Sequence, residues 1–141
     1  MDHVVYVDAR AKEMKKLLSG EKLMIIRGAA GRKMPYGRVN PGDMLYFINN
    51  NAEGLIKARA KVKEVVNSEK MTKEESISLV ENNQEKLILS SAQFKRWAGK
   101  RYLVLIEIGQ VESVTSFRID RSEYGNMDDW LPVGDIQNVM L

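Results

Sequence analysis

The chain has 141 residues, no cysteine, one histidine, a formal net charge of +3 and 44% hydrophobic residues. Such a length fits one domain with an ordinary globular core, and the missing cysteines exclude disulfides and thiolate metal sites. Apolar runs such as Leu103-Val104-Leu105-Ile106 are short against the roughly 20 residues of a membrane span, and the first residues lack a signal-peptide core, so a cytoplasmic chain without membrane contact is expected.

In chain order, His3-Val4-Val5-Tyr6-Val7 has strand chemistry. Asp8 then caps a helix over about 9–18, with Met14, Leu17 and Leu18 on one face and Gly20 at its stop. Leu23-Met24-Ile25-Ile26 is a short buried strand that runs into a glycine-rich loop, and Asn40-Pro41-Gly42-Asp43 is a turn. Met44 to Ile48 and Leu55 to Val66 read as strands joined through an Asn-rich loop. Along the second, Ile56, Ala58, Ala60 and Val62 alternate with Lys57, Arg59, Lys61 and Lys63, so the two sets fall on opposite faces. Thr72-Lys73-Glu74-Glu75 and Ser90-Ser91-Ala92-Gln93 are capping boxes. The first opens a helix over about 73–82, the second a short helix ending at Gly99. Residues 101–108 and 111–119 are strands, and the tail from Tyr124 to Val133 reads as irregular. Five or six strands, mainly antiparallel, with short helices and no βαβ rhythm predict a mixed α+β fold: a small barrel with helical decoration.

Charge is unevenly placed. From Lys22 to Gly42 there are five Lys or Arg and no acid, whereas 118–141 carries a net −3. Within IIRGAAGRKMPYGRV, the cations Arg27, Arg32, Lys33 and Arg38 have no acid beside them. Arginine presents a planar fork matched to phosphate, and Tyr36 is placed to stack on a base. The competing reading is a solvated surface neutralised by the acidic tail folding back. Lys57, Arg59, Lys61 and Lys63 extend the patch if their face adjoins the loop. GAAGRK lacks the spacing and the hydroxyl of a phosphate loop. Gly28 and Gly31 fit either close approach of a ligand or a tight loop. One histidine gives metal chemistry little to work with, and no cofactor is expected. Glu74-Glu75 and Asp128-Asp129 read as helix-end and loop charge. Phe94, Trp97 and Trp130 read as packing residues.

The stretches Gly20-Glu21-Lys22-Leu23-Met24-Ile25-Ile26-Arg27, Gly42-Asp43-Met44-Leu45-Tyr46-Phe47, Lys61-Val62-Lys63-Glu64-Val65 and Tyr102-Leu103-Val104-Leu105-Ile106-Glu107, in this order, resemble the ASCH group of PUA-like domains. The resemblance covers about residues 17–108 of a single domain over 1–141 and leaves the tail 115–141 unmatched. It implies a small, partly open PUA-like β-barrel with a cleft, RNA-associated roles, and Lys22 and Arg27 at the cleft mouth. Some small members hydrolyse acylated cytidine with a lysine, a threonine and a glutamate. Here the lysine matches Lys22, the threonine position holds Ile25, and Glu75 or Glu81 would supply the carboxylate.

The leading expectation is a binding module for RNA or a modified nucleotide. Arg27, Arg32, Lys33 and Arg38 would hold phosphate, with Lys22 at the base pocket and Tyr36 stacking. The alternative is an amidohydrolase-like enzyme acting through Lys22 and Glu75; isoleucine in place of threonine speaks against it. A third reading is an interaction module or homodimer, in which the acidic tail of one copy covers the basic loop of another.

Overall fold

The computed structural model describes residues 1–125 and 128–141. Seven strands are present among these residues: β1 (Asp2–Val7), β2 (Met24–Ala29), β3 (Met44–Asn49), β4 (Ile56–Asn67), β5 (Tyr102–Ile108), β6 (Glu112–Phe117) and β7 (Trp130–Gly134). Four helices accompany them: α1 (Glu13–Leu18), α2 (Lys73–Asn82), α3 (Gln84–Leu87) and α4 (Ser91–Trp97). The strands form one sheet in the order β2-β5-β4-β3-β1-β7, with β6 pairing β4 off this path. β1 and β3 run parallel; the other pairs are antiparallel.

The mixed α+β architecture is as expected, but the sheet is not closed into a barrel. Closure needs β2 to pair with β7 at the far end of the path, and among the described residues these two strands do not pair. The sheet instead curls. Bulges break the register of β4 against β5, between Val62 and Glu64, and of β3 against β4, between Phe47 and Ile48, and a bulge bends its strand and increases its twist. As a result Val5, Ile25, Phe47, Ala60, Ile106 and Trp130, from six different strands, meet in one core cluster that Met14 and Leu17 of α1 cover. On the other face of β2 and β5, Ile26, Leu103 and Leu105 pack under Val80, Leu87 and Trp97 of the helical segment. A further cluster joins Val4, Ile48 and Ile56 to Leu131 and Val133 of the tail. β1 and β5 are thus covered on both sides, which accounts for their unbroken apolar runs.

Both capping boxes form as read. Thr72 Oγ1 accepts from the Glu75 N–H while Glu75 Oε1 accepts from the Thr72 N–H; Ser90 and Gln93 do the same for α4. On β4, Ile56, Ala58, Ala60 and Val62 are buried. Two expectations need correction. Asp8 does not start a helix: its Oδ1 accepts from the N–H groups of Arg10 (2.9 Å) and Ala11 (3.1 Å), closing a turn, and α1 begins only at Glu13. The tail is not irregular throughout, because residues 130–134 form β7 on the edge of β1; Asn126 and Met127 lie outside the described residues. Among the described residues no helix is long and apolar enough to cross a membrane.

Candidate functional site

A groove runs between the end of β2 with its following loop on one side and α4 on the other. Its narrow end is a cleft of about 100 Å³ bordered by Tyr6, Glu13, Arg27, Gln93, Trp97 and Asp129. Its wider end, about 330 Å³, is bordered by Arg27, Lys33, Arg96, Trp97, Lys100 and Asp129. Arg27, Arg96, Trp97 and Asp129 are common to both ends.

Arg27 is the centre of the groove. Its side chain is only 9% exposed. Its Nη1 donates to the Ile26 carbonyl at 2.8 Å and its Nη2 to the Tyr6 carbonyl at 2.6 Å. The guanidinium lies 5.8 Å from the Trp97 ring centre and 5.5 Å from that of Trp130, within cation–π range. Asp129 Oδ2 is 3.3 Å from Nε. This contact is an ion pair without a hydrogen bond, since Nε has no hydrogen-bond partner among the described residues. Arg96 lies against Trp97 at 4.3 Å and reaches the same Asp129 oxygen at 3.8 Å. Trp97 is a core residue, 7% exposed, that also borders the groove. Gln93 is buried, and its Oε1 is committed to the Ser90 N–H at 3.1 Å.

The basic loop is anchored and its cations point outward. Pro35 and Val39 are buried, the Tyr36 hydroxyl donates to the Ser68 carbonyl at 2.6 Å, and the Gly37 N–H donates to Asn67 Oδ1 at 2.8 Å. Arg32, Lys33 and Arg38 are exposed, and among the described residues none of them has a salt-bridge partner. Arg32 sits 5.6 Å above both Tyr36 and Tyr102. Tyr36 meets Tyr102 edge-to-face at 5.7 Å, so its ring is engaged within the protein. Gly28 serves packing: a Cβ there would lie 2.6 Å from Leu103 Cδ2. Gly31 has open space around it. Lys57 pairs with Glu53 and Arg59 with Glu112, so these two β4 cations already have acids beside them.

Lys22 is not at the cleft mouth. It is 1% exposed, donates to the Leu87 carbonyl and has Glu13 Oε2 at 3.4 Å. Burial draws its ammonium below the ordinary value of 10.5, against the pull of Glu13. Glu13, which pairs with the lysine, borders the cleft, and Lys22 does not. Nor does Glu75 accompany Lys22: its exposed carboxylate belongs to the α2 capping box, whose hydrogen bonds hold it below the usual carboxylate range. Glu81 is exposed on α2, and Ile25 is fully buried in the core. Glu13, Gln93, Arg96 and Asp129 were not among the expected site residues. The Ser90 capping box located Gln93, and three-residue spacing puts Arg96 on the same helix face; Asp129 against Arg27 matches the reading in which the acidic tail folds back, and no sequence signal announced Glu13.

No protein-family model matches the sequence, and no curated protein does. Solved structures match the fold. The crystal structure of ASCH from Zymomonas mobilis superposes with a TM-score of 0.67 at 12% identity, covering 92% of this chain and 85% of that one. A tyrosine-to-phenylalanine variant of the same protein gives 0.67, with 92% and 87% covered. A serine-to-alanine variant gives 0.68, with 92% and 85% covered; both are also at 12% identity. The chain has an ASCH-type fold, as the resemblance implied.

Proposed function

We propose that this chain is a binding module for single-stranded RNA or a modified nucleotide, with the phosphates lying along the groove between the basic loop and α4. The observation that carries the reading is the alignment of Lys33, Arg96 and Lys100 along one groove, with Arg32 and Arg38 exposed on the loop beside it. A surface of this charge attracts a polyanion. Trp97 and Tyr6 border the narrow end, where a base could lie against them. The ASCH-type fold supports an RNA-associated role by analogy of fold alone.

The amidohydrolase alternative has less behind it. Its three groups would have to converge, yet Lys22 is buried in a pair with Glu13, Ile25 lies in the core, and Glu75 caps α2.

Fluorescence anisotropy with single-stranded RNA, duplex RNA and duplex DNA tests the proposal. Single-stranded RNA is expected to bind with a log–log salt slope of about −0.7 per phosphate contact, and Arg32→Ala/Lys33→Ala is expected to weaken it and flatten the slope. Binding that ignores salt, or survives the double substitution unchanged, removes the phosphate role of the loop.

A further inference from the structure

Asp129 is out of keeping with the wider part of the groove, where the other charged residues, Arg27, Lys33, Arg96 and Lys100, are cations. Its Oδ2 stands 3.3 Å from Arg27 Nε and 3.8 Å from Arg96 Nη2, whereas charge-assisted N–H to O bonds close to about 2.7–2.9 Å. Arg27 cannot turn to improve the fit, because both Nη atoms are held by backbone carbonyls. Its Nε is left without a hydrogen bond among the described residues, in a side chain more than nine-tenths buried. Asp129 cannot move deeper either: its own carbonyl accepts from the Tyr6 N–H at 3.0 Å, and β7 begins at the next residue. The carboxylate fills an anion site without satisfying it.

We infer that Arg27 and Arg96, both against Trp97, form a phosphate subsite which the chain's own Asp129 carboxylate occupies and for which a ligand phosphate must compete. This rests on the reading of the groove as an RNA surface and adds to it a site outside the basic loop. A phosphate group carries non-bridging oxygens in tetrahedral directions, so one reaches Arg27 Nε while another reaches Arg96. Asp129 offers a single oxygen shared between the two donors. The Asp129 side chain is 42% exposed, so it has room to swing toward solvent when a phosphate enters.

The test measures binding of a fluorescein-labelled single-stranded oligouridylate to the wild type, Asp129→Asn, Arg96→Gln and the double variant. Uridine 5′-monophosphate and inorganic phosphate serve as competitors. A partly exposed ion pair is worth about 0.2–1 kcal/mol, so Asp129→Asn is expected to tighten binding roughly 1.4- to fivefold and to steepen the salt slope. In the Arg96→Gln background that gain is expected to shrink, since Arg96 and Asp129 act on one site of which Arg27 alone remains. Asp129→Ser repeats the measurement without an amide, and circular dichroism verifies that each variant is folded. Competition by the mononucleotide assigns the subsite to a free nucleotide phosphate; competition by neither small anion assigns it to the RNA backbone. Either outcome keeps the subsite. Weaker or unchanged binding in both Asp129 variants overturns it, as does a gain that persists undiminished without Arg96. If the wild type binds through Arg32 and Lys33 while Asp129→Asn gains nothing, the subsite alone fails. If no variant binds any probe, the proposed function fails with it.

Discussion

Lys22 and Glu13 form a buried pair in which each charge depends on the other. Lys22 is 1% exposed and Glu13 5%. Removing one partner of such a pair strands the other without compensation, which costs about 3–5 kcal/mol. Lys22→Met is therefore expected to lower the unfolding free energy in urea by about that amount, and adding Glu13→Gln to recover most of it. A lysine kept for catalysis predicts a different pattern, with activity lost and stability nearly intact. A second buried group, His3, carries a pH dependence. Trp130 Nε1 donates to His3 Nδ1 at 3.0 Å, so the ring proton sits on Nε2, which donates to Asp43 at 2.8 Å. Burial lowers the pKa of His3 from 6.5, against the pull of Asp43. As pH falls, the unfolded chain takes up this proton before the folded one. The stability tied to the neutral ring is full above 6.5 and declines from there toward the lower folded value. The urea midpoint is expected to drop between about pH 7.5 and pH 5, and His3→Gln is expected to reduce that drop. An equal drop in the variant assigns the effect to other groups.

At the level of elements, the tightest requirement lies between β2 and β5. A Cβ on Gly28 would meet Leu103 Cδ2 at 2.6 Å and the Tyr102 carbonyl oxygen at 3.1 Å, whereas one on Gly31 meets nothing within 4 Å. Gly28→Ala is expected to cost about 1–3 kcal/mol by overpacking, and Gly31→Ala close to nothing. Thermal melts of the two variants make the comparison, and similar melting temperatures would show that β2 and β5 can separate to admit the methyl group. This contrast marks how far the sequence is readable. Capping boxes are local chemistry, so α2 and α4 were legible from Thr72 and Ser90 to their ends. β4 was legible because its alternation is local too. β7 was not: Trp130-Leu131-Pro132-Val133-Gly134 has a proline, a glycine and no alternation, and it becomes a strand only because β1 offers an edge, where proline is tolerated. The loop cations of the candidate site were legible as residue types without local acids. Arg96 and Glu13 escaped, and Asp129 was foreseen only as part of an acidic tail folding back, because their partners are brought to them by the curl of the sheet, which no short window encodes.

One side chain bridges the strands that the curl brings together. β2 begins the path of the sheet and β1 is its fifth strand, yet Arg27 of β2 donates to the Tyr6 carbonyl of β1 at 2.6 Å. β2 and β1 share no backbone ladder, and a guanidinium clasp joins them instead. The clasp uses the forked geometry of arginine rather than its charge alone, because one ion serves the Tyr6 carbonyl, the Ile26 carbonyl and Asp129 together. Lysine has a single nitrogen and cannot span these positions. Arg27→Lys keeps the charge and removes the fork, and losing a hydrogen bond made by a charged group costs about 1.5–3 kcal/mol. The expected result is a fall in unfolding free energy of that size, with faster hydrogen exchange at the Tyr6 amide, which is bonded to the Asp129 carbonyl beside the seam. Binding of single-stranded RNA through Arg32 and Lys33 should fall much less, since their loop is anchored on β4 and not on β1. If stability and exchange are unchanged, Trp97 and Trp130 hold the seam by packing, and Arg27 is kept at the centre of the groove for its charge.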